Sequence, residues 1–91
     1  MRRAARVDDN QGLIVDALRK ISVSVEIIGK PLDLLICHRG QTALMEVKNP
    51  DGKDALSREQ VEFIARWPGK VHIVRSVDEA IRAVLGERAM S

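Results

Sequence analysis

Arg39-Gly40 stands between two apolar runs, Leu32 to Cys37 and Ala43 to Val47, and this arrangement reads as a β-hairpin. Two-residue hairpin turns need positive φ, which a glycine supplies without steric cost. In the first run Leu32, Leu34 and Ile36 alternate with Leu35 and Cys37; in the second Ala43, Met45 and Val47 alternate with Leu44. Strands that are apolar on both sides are covered on both sides. With the turn at Arg39-Gly40, Asp33 falls opposite Glu46. Directly opposed residues share a face, with Cβ atoms roughly 5 Å apart. Lys48, two residues beyond Glu46, points the same way.

Two carboxylates facing each other destabilise a sheet unless a cation or a proton sits between them. A hard divalent metal resolves the conflict. Mg²⁺ takes oxygen ligands, keeps several waters, and is commonly held by one or two carboxylates together with substrate phosphates. Asp33 and Glu46 beside Lys48 therefore suit phosphodiester cleavage. The plainer alternative makes Asp33 a surface acid near a turn, and Glu46 with Lys48 an ordinary exposed pair. Charges on doubly covered strands, however, sit at strand ends in a cleft, and the start of one strand meets the end of the next at Asp33 and Glu46.

Ninety-one residues are expected to form one domain over 1–91, with a basic arm at 1–7 and a tail at 86–91. A chain this short is marginal in the core it can bury, so a homodimer is expected. Aromatic residues make up 2% of the chain, which leaves packing to aliphatic side chains. A net charge of +2 mildly favours polyanions without identifying one. The single cysteine, Cys37, excludes an intramolecular disulfide or a thiolate zinc cluster and reads as a structural thiol in a reducing compartment. His38 follows it directly and points to the opposite face, which argues against a Cys-His dyad. No apolar run is long enough to cross a membrane, and the expectation is a soluble cytoplasmic protein with no organic cofactor.

Along the chain, Asp8 with Gln11 has the pattern of a capping box opening a helix with Leu13, Ile14, Ala17, Leu18 and Ile21 on one stripe. Ser22 to Ile28 alternates as a half-exposed strand. After the hairpin, Asn49 to Asp54 is a flexible, charged loop by composition. Ser57 with Gln60 opens a second helix that Trp67-Pro68-Gly69 ends, Val71 to Val74 is a last strand, and Ser76 with Glu79 opens a helix ended by Gly86. Phe63 and Trp67 read as packing residues, and His72 as a core or edge histidine. The class is α/β with a mixed sheet, in the order helix, three strands, helix, strand, helix.

A set of short motifs runs through nearly the whole chain: Arg6-x-Asp8-x-Asn10-Gln11-x-x-Ile14, Gly29-x-Pro31-x-Asp33-Leu34-Leu35, Arg39-Gly40, Leu44-x-Glu46-Val47-Lys48, Ser57-x-x-Gln60, Trp67, and Val74-x-Ser76-Val77-Asp78-Glu79-Ala80. In this order they resemble the VRR-NUC family of the PD-(D/E)xK nuclease superfamily, above all its small stand-alone members from phages and bacteria. The resemblance implies a restriction-endonuclease-like αβββαβ(α) core, a central mixed sheet flanked by helices, and a homodimer acting on Holliday junctions. It also implies Mg²⁺ or Mn²⁺ held by Asp33, Glu46 and the backbone carbonyl of Val47, with Lys48 orienting or activating the attacking water. A metal lowers the pKa of bound water and neutralises charge on the phosphate, and an ammonium adds to this.

Gln60 matches a glutamine of the family's motif, where it could hold a phosphate or water, and it can also serve the capping box with Ser57. Asn10 and Gln11 match the first-helix motif. Many relatives carry a metal-binding glutamate there, and Gln11 stands in its place as a weaker ligand. Leu32 separates Pro31 from Asp33, which the family more often has adjacent. Arg2, Arg3, Arg6, Lys30, Lys53 and Arg58, together with Asn10, are candidate DNA contacts, phosphate contacts supplying most sequence-independent affinity. Little here could read bases, so selectivity would come from DNA shape. The leading expectation is a metal-dependent, structure-selective DNA endonuclease. The alternatives are a catalytically weak DNA-binding module and a partner-binding domain that kept the fold.

Overall fold

The computed structural model describes the backbone of residues 2–86 and the side chains of residues 10–86. The elements run α1 (Arg2–Lys20), β1 (Ser24–Ile27), β2 (Leu34–His38), β3 (Gln41–Val47), α2 (Arg58–Arg66), β4 (Lys70–Val74) and α3 (Val77–Leu85). This is the expected order. The sheet is mixed: β1, β2 and β3 pair antiparallel, and β4 adds parallel to β3 after the α2 crossover, giving the order β1-β2-β3-β4. No described helix is long and apolar enough to cross a membrane.

The hairpin register is the expected one, with Leu34 opposite Met45, Cys37 opposite Thr42 and His38 opposite Gln41. Arg39 joins Gly40 in positive φ, at 54° and 80°. Both central residues of a type I′ turn need such values, which match the strands' twist.

The first helix departs from expectation at both ends. It begins at Arg2, so residues 2–7 of the expected basic arm are helical and Asp8 lies inside the helix rather than capping it. Arginine and alanine, which dominate residues 2–6, are among the strongest helix formers. At the other end, Ser22 takes φ 71°. The Val23 N–H donates to Leu18 O at 3.0 Å and the Ser22 N–H to Arg19 O at 3.0 Å. This is a Schellman motif with serine where glycine is usual, and it delays β1 to Ser24. The tail beyond Gly86 lies outside the described residues.

The capping box of α2 forms in full between Ser57 and Gln60. At α3 only half of the expected box forms. The Ser76 hydroxyl accepts from the Glu79 N–H, but the Glu79 carboxylate reaches one residue further back, to the Arg75 N–H at 2.7 Å.

Ile14, Leu18, Leu34, Met45 and Val74 are fully buried among Val25, Ile36 and Ala80, so α1 and α3 cover one sheet face. Burying each large aliphatic side chain stabilises by roughly 1.5–3 kcal/mol. The other face carries Leu35, Leu44 and Ile73, and α2 covers it only in part: Leu35 is 37% exposed, Ile73 45%, and α2 buries no residue fully. Leu32, the residue that separates Pro31 from Asp33, is completely buried. It anchors the loop that delivers Asp33 to the strand end.

Candidate active site

Glu46 lies on the incompletely covered face near the end of β3 and is the one charged or polar residue buried among those described, at 4% exposure. Burying an isolated carboxylate is costly, and three neighbours meet it here. Its Oε1 accepts from the Asp33 backbone N–H at 3.2 Å. Its Oε2 accepts from Gln60 Nε2 at 2.9 Å and lies 3.3 Å from the Lys48 ammonium. Reciprocally, Asp33 Oδ2 accepts from the Val47 N–H at 2.8 Å. Asp33 and Glu46 thus cross-bond between strand ends, extending the register to the pair predicted from the hairpin.

Lys48 is held along its whole length. Its N–H donates to Val74 O at 2.9 Å, continuing the parallel ladder. Its carbonyl accepts from Asn10 Nδ2 at 2.8 Å, and the same amide nitrogen reaches Arg75 O at 3.2 Å. At the far end Nζ donates to Ala55 O at 3.1 Å and lies 3.5 Å from Gln60 Oε1. Gln60 also receives the Ser57 N–H on that oxygen at 3.1 Å. Its amide oxygen therefore faces donors while its nitrogen faces the carboxylate, so Gln60 serves the cap and the cluster at once.

Burial, first, and then the adjoining Glu46 carboxylate hold the Asp33 carboxyl above its ordinary value of 3.8, against the opposing pull of the Val47 N–H and Lys48. The conflict expected of facing acids is therefore present and only partly relieved by Lys48.

The donor set fits a hard divalent cation through two carboxylates. Asp33 Oδ2 accepts from the Val47 N–H, the Glu46 carboxylate is adjacent, and the Val47 side chain packs toward the core, leaving only its main chain on this side. No group of three histidine, cysteine, aspartate or glutamate side chains with metal-binding geometry occurs among the described residues. Remaining ligands would be main chain, water and phosphate, a habit of Mg²⁺.

The other expected site residues are scattered. Asn10 spends its amide nitrogen on the ends of β3 and β4. Gln11 is half-buried on α1, with no hydrogen bond to Asp33, Glu46, Lys48 or Gln60 among the described residues. Lys30 lines a groove that also includes Gln60. Lys53 is exposed in the loop after β3. Arg58 is exposed on the first turn of α2 and pairs with Glu62 at 3.5 Å. The side chains of Arg2, Arg3 and Arg6 lie outside the described residues.

Arg75 and Asp54 were not legible as part of this assembly. Arg75 donates to Asn49 O at 2.7 Å, to Asp54 Oδ1 at 3.0 Å and to Asp54 O at 3.0 Å, while the Asp54 carboxylate accepts from the Asn49 N–H. Partial burial opposes the charge on Asp54, but the Asn49 N–H and the Arg75 guanidinium outweigh it and hold its pKa below 3.8. The loop expected to be flexible is closed by these bonds, and Ala55, which receives Lys48, follows it directly. Their separation in sequence hides the link. His72 is half-buried on edge strand β4; burial, and then Lys70, lower its pKa below 6.5, in keeping with a structural histidine.

Compared with known protein families, curated proteins and solved structures, the chain matches none.

Proposed function

We propose that this protein is a Mg²⁺- or Mn²⁺-dependent DNA endonuclease of the VRR-NUC type, acting as a homodimer on branched DNA such as Holliday junctions. The observation that carries the reading is the cluster of Asp33, Lys48 and Gln60 around the buried Glu46: two adjoining carboxylates whose conflict is only partly relieved, with an ammonium 3.3 Å from Glu46. A sheet gains nothing structurally from facing acids, and perturbed titratable groups of this kind gather at functional sites.

Asp33 and Glu46 would hold the metal, with the Val47 carbonyl as the main-chain candidate. Such an ion supplies Lewis-acid stabilisation of the phosphate and a more acidic water. Lys48, fixed at both ends, presents its ammonium where charge develops on the phosphoryl oxygens. Gln60 orients Glu46 through its amide nitrogen and faces the lysine with its amide oxygen. Lys30, Lys53 and Arg58 supply exposed cations for phosphate contact.

The binding-module reading has one observation in its favour. The first-helix position that would carry an acid is Gln11, which makes no hydrogen bond to the cluster among the described residues. Cleavage of labelled junction, flap and linear duplex DNA with Mg²⁺ or Mn²⁺, run beside Lys48→Ala, separates the two. The nuclease reading predicts metal-dependent products from wild type and a loss of at least about a hundredfold in the variant. Junction binding by both proteins without cleavage by either would replace it with the binding module.

A further inference from the structure

Phe63 and Trp67 are the only phenylalanine and tryptophan in the chain, which has no tyrosine. Large rings bury the most area and in an aliphatic protein belong inside. Neither is in the core: the expected packing is of the half-buried Phe63 and the exposed Trp67 against each other. Trp67 is 43% exposed and stacks on Phe63, ring centroids 5.2 Å apart at 26°. The Arg66 guanidinium lies 5.3 Å from the Phe63 centroid. A Cβ on Gly69 would come within 2.7 Å of the indole nitrogen, so the chain turns closely under the ring and fixes its position. The result is a preformed aromatic platform at the surface.

Beside it runs an apolar groove of about 470 Å³, walled by Ile28, Pro31, Leu35 and Leu44, with Lys70 as its one charged lining residue. Pro31 and Phe63 also line a second groove of about 450 Å³, which contains Lys30, Arg66 and Gln60. Gln60 donates to Glu46. The two grooves thus share Pro31 and Phe63, and the second includes the residue that bonds the carboxylate pair. Glu59 and Glu62 stand on the second groove as well, Glu62 being paired with Arg58.

Resting on the nuclease reading, we infer that these two adjoining grooves hold a single-stranded stretch of DNA leading toward the reacting phosphate, with an unpaired base against the Trp67–Phe63 platform. Aromatic side chains stack any base, because every base has a π-face. A base inside a duplex is already stacked on both sides and cannot reach the groove without leaving the helix. The substrate class is therefore DNA with unpaired nucleotides at the branch, as in a flap or an opened junction. Lys30, Arg66 and Lys70 suit phosphates. The cations on the two grooves, Lys30, Arg66 and Lys70, outnumber the acids Glu59 and Glu62, and Glu62 is already paired with Arg58, so the rim favours an anionic occupant over a second copy of the chain.

The single tryptophan makes the test direct. Indole emission of the full chain is followed during titration with oligothymidylate or with blunt duplex of equal length, without divalent metal, and flap binding is measured by anisotropy for Trp67→Leu and Trp67→Phe. Quenching by the single strand and not the duplex, with roughly tenfold weaker flap binding for Trp67→Leu and recovery in Trp67→Phe, is expected. Unchanged emission while the strand binds overturns the inference, as does an emission change that follows protein concentration without DNA, which would put a second copy in the groove. Because no metal is used, quenching without any later cleavage sinks the nuclease reading alone. Cleavage that persists without quenching sinks this inference alone.

Discussion

Asp33 sits where burial and a neighbouring carboxylate both oppose its charge, and its backbone partner Val47 only partly offsets them. Its folded pKa is raised, so over the interval above 3.8 the folded state binds more protons than the unfolded state and stability falls as pH rises through it. Asp33→Asn keeps an oxygen for the Val47 N–H and removes the charge. Without divalent metal, the variant is expected to melt above wild type at pH 7, with the difference closing as pH falls below the ordinary value of 3.8. Thermal unfolding across pH checks this; equal melting at pH 7 would mean that the pair carries no electrostatic conflict. The pairing of Asp33 with Glu46 was legible because alternation and a turn of fixed length leave one register. The roles of Asn10 and Arg75 were not, since contacts between residues so distant in sequence leave no periodic trace.

At the level of elements, α2 and its cap were readable from Ser57 and Gln60 because a capping box is a local motif with fixed spacing. The ends of α1 were not. Asp8 and Gln11 have the same spacing within a run of strong helix formers, and propensity carried the helix past them. Ser22 occupies the left-handed position of the Schellman motif, where serine gives no signal. Ser22→Gly should therefore stabilise the protein by about 0.5–1 kcal/mol, the relief of Cβ strain being partly offset by a freer unfolded chain. Chemical denaturation measures it, and destabilisation would contradict the assignment of the turn.

Across the whole molecule, α1, β3, β4 and the loop over 49–54 meet at one end of the sheet, joined by Asn10, Arg75 and Asp54. That end carries the carboxylates and the lysine. Arg75→Ala removes three hydrogen bonds at a partly exposed position and is expected to cost about 1–2 kcal/mol of stability while freeing the loop that receives Lys48. Amide exchange of residues 49–55 reports this, and unchanged protection there would remove Arg75 from the support of the site. Mn²⁺ titrated into the full chain at pH 7, and followed by the loss of its free-ion spin-resonance signal, shows whether the facing acids are a cation site. At least one ion bound per wild-type chain and none by Asp33→Asn is expected; uptake that is equal in both proteins, or absent from both, would mean that the acids hold no metal.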